Sequence, residues 1–247
     1  MIKRLIVLML MPLLLGSCNF FLSQDFPLYY DVFGYGTVTA GKLYVNSGTN
    51  ILTVTEDKTD GKWTECEQVF IRCDLLSTND NETSFDARLK SYVPVKVTGI
   101  IDLDDADPET IGNDGVLFYQ DWGYDNKAKA MDLALQYSAK KESETSHDIS
   151  LVFDRARSKT DSLFFQLRHN GHGEVLENTS IGTQEIEIRT EYFSFGIDSA
   201  IPDEVGEKTV ITIEYDWYES MDEGIMTRQT EHRKISGIFY LNGKTQN

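Results

Sequence analysis

The sequence predicts an all-β protein. Short segments with apolar residues at every second position recur along most of its length, turn residues separate them, and convincing amphipathic helices are scarce. A stretch rich in aspartate and containing a proline, residues 102–109, divides these segments into two groups. The expectation is therefore two β domains, which suits a mature chain of about 230 residues.

The first residues read as a lipoprotein signal. Lys3 and Arg4 precede an apolar stretch interrupted by Pro12, and Leu15-Gly16-Ser17-Cys18 places small residues before a thiol. The run is too short to span a bilayer, which needs about 20 apolar residues. The reading is a signal peptide over residues 1–17, lipid attachment at Cys18, and a tether over residues 18–34.

Residues 35–45, 51–55 and 69–76 alternate as strands, with Asn46-Ser47-Gly48 and Asp60-Gly61 as breaks. Residues 93–101 complete the group, and Pro94 marks an edge or a strand beginning. The first domain is placed at residues 35–103. Cys73 lies on the apolar face that Val69, Ile71 and Leu75 share. If residues 66–73 run extended, Cys66 lies roughly 23 Å from Cys73, so the two thiols are expected to stay unpaired.

Residues 104–114 read as an acidic linker. Carboxylates at Asp102, Asp104 and Asp107 suggest a calcium loop, but Asp107 and Asn113 stand where an EF-hand loop needs glycine and glutamate. Beyond the linker, Met131, Leu133, Leu135 and Tyr137 share one face, with Asp132 and Gln136 on the other. Residues 126–136 also carry strong helix formers, but the period of two favours a strand. Residues 149–153, 163–167, 186–197, 211–217 and 235–241 alternate likewise. The seven or eight strands of residues 115–247 fit an immunoglobulin-like antiparallel β-sandwich.

Charge narrows the function. The chain carries 40 acidic and 23 basic residues, a formal charge of −17; loss of Lys3 and Arg4 leaves 21 basic residues and −19. Nucleic acid is excluded as a partner, since that binding neutralises phosphates with Lys and Arg. Phosphate-loop, zinc-protease, nucleophile-elbow and CxxC motifs are missing, so no catalytic, cofactor or metal residues are indicated. His169-Asn170-Gly171-His172 reads as an exposed hairpin turn with solvated histidines. Trp122 and Tyr124, at a turn, are the candidate ligand surface, a ring platform for sugars.

The lipobox, the opening group of strands, Ile111-Gly112-Asn113-Asp114, Gln120-Asp121-Trp122 and the run from Leu163 to Gly171 together resemble the NigD-like lipoproteins. The resemblance implies an OB-type five-stranded barrel before the sandwich, and a family name linked to bacteriocin production. It carries no catalytic residues. It also implies bacteria that O-glycosylate Asp-Ser followed by a small or aliphatic residue, which makes Ser162 and Ser199 candidate acceptors. The expected protein is a non-enzymatic outer-membrane lipoprotein facing the periplasm, binding an envelope protein in bacteriocin production or immunity. The alternative is a glycan-binding accessory lipoprotein. Membrane contact is expected through the lipid on Cys18.

Overall fold

Ala40 and Gly41 both adopt left-handed backbone, with φ of 51° and 73°. Consecutive positive φ values suit a tight hairpin, so the single strand expected over residues 35–45 is split. This computed structural model describes residues 28–45, 50–79, 83–119, 122–174, 179–180, 186–203, 208–218, 225–226 and 230–241. The signal peptide and Cys18 lie outside the described residues. Strands β1 (Tyr29–Thr39), β2 (Lys42–Val45), β3 (Asn50–Asp57), β4 (Gln68–Asn79) and β5 (Ser84–Pro94) close a barrel in the order β1-β2-β3-β5-β4. The β3–β5 pair is parallel and the other pairs are antiparallel, the OB-type arrangement. Leu43, Leu52, Trp63, Val69, Ile71, Cys73, Ala87 and Leu89 fill its core. Cys66 is half-buried, and it and Cys73 are free thiols.

Pro94 ends β5 rather than beginning a strand, and the chain leaves the barrel there. β6 (Lys96–Gly99) already belongs to the sandwich, pairing with residues 193–196, and β7 (Ile101–Asp102) pairs with residues 152–153. The remaining strands are β8 (Leu117–Phe118), β9 (Gly123–Asp125), β10 (Ala130–Lys140), β11 (Asp148–Phe153), β12 (Ser162–Asn170), β13 (Thr179–Ser180), β14 (Ile186–Gly196), β15 (Thr209–Tyr218), β16 (Ile225–Met226) and β17 (Thr230–Phe239). One sheet runs β6-β14-β10-β8 with β9 added on β10, and the other β17-β15-β12-β11-β7; β13 and β16 form a small ribbon. Residues 126–136, rich in helix formers, do not form a helix, because β10 can bury Met131, Leu133, Leu135 and Tyr137 against Leu151, Leu163, Phe165, Phe193 and Ile211.

Two expectations need correction. The sandwich is not wholly antiparallel: β6–β14, β7–β11 and β12–β15 are parallel pairs. The chain reaches β6 and β7 directly from the barrel, and so inserts them beside strands that come later. Nor is the stretch 104–114 a free linker. Asp102 accepts from the Asp104 amide, and Asp107 caps the single helical turn Pro108–Ile111 through the Glu109 amide. Asp114 accepts from the Gly171 amide, and the Asn170 side-chain amide donates to the Thr110 carbonyl at 2.9 Å. Asp102, Asp107 and Asp114 thus serve turn capping and docking, while Asp104, Asp105 and Glu109 are exposed.

Strand β10 is buried on both faces, because the barrel lies over the outer face of its sheet. Tyr35 and Phe70 of the barrel pack on Tyr192 of β14, the Phe70 and Tyr192 rings stacked with centroids 4.2 Å apart. Lys127 sits over the Tyr44 ring, and Thr37 donates to Asp125. Asp132, read from sequence as facing solvent, is therefore enclosed between the two domains, with 6 % of its surface exposed.

Candidate functional site

The expected ring platform is not presented to solvent. Tyr124 is buried in β9, and Trp122 is half-buried with its ring edge on Phe239, centroids 4.9 Å apart. β9 pairs with β10, so a segment read as a turn is held in the sheet and turns its rings into the core. The candidate acceptor hydroxyls fall at one end of the sandwich. Ser199 is exposed in the short turn Asp198–Ala200 and lines a cleft of about 400 Å³ with Thr160 and Leu163, the residues that bracket Asp161 and Ser162. Ser162 opens β12, half-buried, and its hydroxyl donates to the Asp161 carboxylate.

The histidine pair is divided. His172 is exposed at the turn, with a left-handed φ of 51° and its Nε2 2.8 Å from an Asp148 carboxylate oxygen. His169 is fully buried, because it continues the inward series Leu163, Phe165, Leu167. Its Nε2 lies 2.9 Å from Nδ1 of His147, also buried, and both rings pack on Tyr137. His169 Nδ1 faces the Gly115 carbonyl at 3.2 Å, and a carbonyl only accepts, so this nitrogen carries the hydrogen. His147 Nδ1 then donates to His169, which leaves its bare Nε2 3.5 Å from a Glu174 carboxylate oxygen. Burial pushes His169 down to about 4, with the neighbouring His147 adding to the effect, and burial lowers His147 too. Hydrogen bonds from Ser143 and Thr145 hold Glu174 down at about 2. This is an enclosed, neutral imidazole pair that pins the 141–147 loop to the sheet.

Two apolar features stand out among the described residues at the surface. The first lies at the start of β1, in a region read from sequence as tether. Asp31 has a left-handed φ of 51°, and the β1–β4 register shifts between Tyr29 and Val32. This bulge interrupts the alternation and leaves Leu28, Tyr29, Tyr30 and Phe33 each more than half exposed, at 51, 61, 61 and 53 %. An unfavourable backbone for a non-glycine residue persists only where its surroundings hold it. Here the Asp31 amide donates to Asp74, while its carboxylate accepts from Arg72 at 3.1 Å and Lys90 at 2.7 Å, which holds its pKa at about 2. Arg88 pairs with Glu56 and reaches Asp74, and the Arg72 guanidinium lies over the Phe33 ring. The signal available in sequence was the β-prone run Leu-Tyr-Tyr-Asp-Val-Phe.

The second feature is the end of a sheet. Among the described residues β17 pairs only with β15 and terminates its sheet. Its first half carries His232, Arg233 and Lys234, with His232 held by Asp216. Its second half, from Ile235 to Phe239, carries no charge. There Ile238 is 64 % exposed and its register partner Val210 is 39 % exposed, an outward apolar pair on an open edge.

Residues 99–219 match the family model of the NigD-like C-terminal beta sandwich domain. Among solved structures, a protein of unknown function from Bacteroides vulgatus superposes with a TM-score of 0.60 at 15% identity, covering 87% of this chain and 92% of its own. A NigD-like immunity protein from Bacteroides caccae gives 0.53 at 19% identity, covering 84% and 93%. A candidate lipoprotein from Bacteroides fragilis gives 0.56 at 12% identity, covering 83% and 96%. At such low identity the superpositions show a shared fold alone. No curated protein sequence matches the chain.

Proposed function

We propose that this chain, which belongs to the NigD-like family through its C-terminal β-sandwich, is a lipid-anchored, non-enzymatic envelope protein that binds another protein in bacteriocin production or immunity. The observation that carries the reading is the uncharged half of the β17 edge, with Ile238 and Val210 exposed beside a strand side that pairs with no other strand among the described residues. A partner strand added there would gain main-chain hydrogen bonds and an apolar contact together. The charged half, from His232 to Lys234, would fix where such a strand stops, since charges on an edge discourage pairing. The immunity protein among the structural neighbours supports the biological setting, and the candidate lipoprotein supports lipid anchoring; attachment at Cys18, the outer membrane and a body facing the periplasm are the further parts of the proposal. Asp132 and His169, two buried groups whose pKa values burial shifts strongly, lie 6 % and 0 % exposed inside the fold, which supports a binding role over catalysis.

A photo-crosslinking side chain at position 238 in intact cells tests this. The expected result is one discrete protein adduct, with the same protein lost from co-purification with Ile238→Lys. No adduct, or equal capture from Tyr119 on the other sheet, overturns it.

A further inference from the structure

The exposed ring cluster at the start of β1 calls for a different occupant from the sandwich edge. We propose that Leu28, Tyr29, Tyr30 and Phe33 seat the barrel on the headgroup region of the lipid bilayer, so that this face is a second, non-covalent membrane contact. The inference rests on the reading of Cys18 as the lipid-attachment residue.

Three observations favour a bilayer over a protein partner for this face. The first is reach. Leu28 follows Cys18 by ten residues, which span at most about 35 Å when fully extended. A lipid on Cys18 therefore keeps this face of the barrel within about 35 Å of the membrane surface.

The second is chemistry. Two tyrosines with a phenylalanine and a leucine combine apolar bodies with polar tips, the composition enriched where hydrocarbon meets headgroups.

The third is charge. The mature chain carries a formal charge of −19, and a body so acidic is repelled by an anionic surface. Beside the rings, however, Arg72, Arg88 and Lys90 are matched by Asp31, Glu56 and Asp74 in one paired network. This part of the surface is locally neutral. The strained Asp31 that brings Tyr29 and Tyr30 outward is held by the same network, so the ion pairs both neutralise the surroundings and set the rings.

A single acyl chain gives only marginal membrane binding, and a second contact strengthens it. On a lipoprotein with several chains, the added contact instead sets orientation. With the rings seated, the barrel is held against the bilayer by its own surface as well as by the lipid.

The test is hydroxyl-radical footprinting of the lipidated full-length protein in phosphatidylethanolamine/phosphatidylglycerol vesicles, with the non-acylated Cys18→Ser protein in solution as reference. Modification of Tyr29, Tyr30 and Phe33 is expected to fall about fivefold in vesicles as the rings leave water. Exposed Tyr119 and Ile238 should be unchanged. Replacement of the three rings by serine should leave the acyl increment on the Cys18 peptide intact but abolish the fixed orientation, read as a loss of polarised infrared dichroism in supported bilayers. A Cys18 peptide without acyl mass overturns the anchoring reading on which the inference rests. An acylated protein whose rings remain as reactive in vesicles as in solution overturns the inference itself. Protection in native envelopes but not in vesicles also overturns it, and assigns the face to a protein.

Discussion

Replacing Asp132 by asparagine should stabilise the protein increasingly as pH rises. Asp132 lies near the start of β10, beneath the barrel, and its Oδ1 is buried without a hydrogen-bond partner among the described residues. Burial pushes its carboxyl from the ordinary 3.8 up to about 7; the Ser194 hydroxyl pulls it back and Asp125 adds repulsion. In the unfolded chain the carboxyl releases its proton near pH 4, whereas in the folded protein it holds that proton until about pH 7. Stability therefore falls as pH rises through this window, and the loss is complete above it. At 1.36 kcal/mol per pKa unit, the part of the loss between pH 5 and pH 8 is about 2–3 kcal/mol, an upper figure for a group in partial contact with polar neighbours. Asparagine has no proton to lose. Its own cost of burial is the same at both pH values, so the difference between them isolates the ionisation. Thermal unfolding of Asp132→Asn and the parent should give a Tm difference about 5–10 °C more favourable to the variant at pH 8 than at pH 5. Other carboxylates and histidines titrate in both proteins and cancel. An unchanged Tm difference across this range would refute the placement of a buried carboxyl between the domains.

Gly112→Ala should cost about 2 kcal/mol or more, because Gly112 has φ of 65° and an added Cβ would fall 2.5 Å from the His169 carbonyl oxygen. Gly173→Ala, also at positive φ but facing open space, should cost only about 1 kcal/mol; equal losses in urea unfolding would contradict the docking of the 108–115 segment. His169→Gln should make the protein less acid-sensitive: the folded histidine titrates near 4 against an ordinary 6.5, so the stability it contributes is present above pH 6.5 and lost as pH falls towards 4. Parallel stability profiles for variant and parent from pH 7 to 4 would argue against the neutral imidazole pair. Cys18→Ser should leave the protein unprocessed or soluble, and normal processing together with detergent-only extraction of this variant would count against lipid attachment. Intact mass of protein from its native envelope should show a glycan increment that Ser199→Ala reduces; a mass equal to the lipidated chain alone removes Ser162 and Ser199 as acceptors.

The alternation that identified the strands also held the information about His169, which was lost to a local turn signal. Leu163, Phe165, Leu167 and His169 keep one parity, and the sheet honours it: the strand runs through Asn170 before turning. The Asn-Gly pair did mark the turn, yet a turn beginning at Asn170 leaves the residue before it inside. Cys73 was read correctly by the same parity argument, and it lies in the barrel core.

Asp132 and the β1 aromatics were hidden for a different reason. Period two says which residues share a face but not what covers that face. On β10 one face meets the sandwich core and the other meets the barrel, so the polar residues of a strand that reads as half-exposed are enclosed by a domain more than 30 residues away in the chain. The bulge at Asp31 depends on Asp74, Arg72 and Lys90, residues of β4 and β5 more than 40 positions downstream. Alternation within residues 28–33 would place Tyr29 and Tyr30 on opposite faces, and only these distant ion pairs bring both to the surface. The surface with which this protein meets its surroundings is thus set by pairings between segments far apart in the chain. For that reason Lys90→Ala should re-bury part of the ring cluster without replacing a ring, and footprinting of Tyr29 and Tyr30 in solution would register the change.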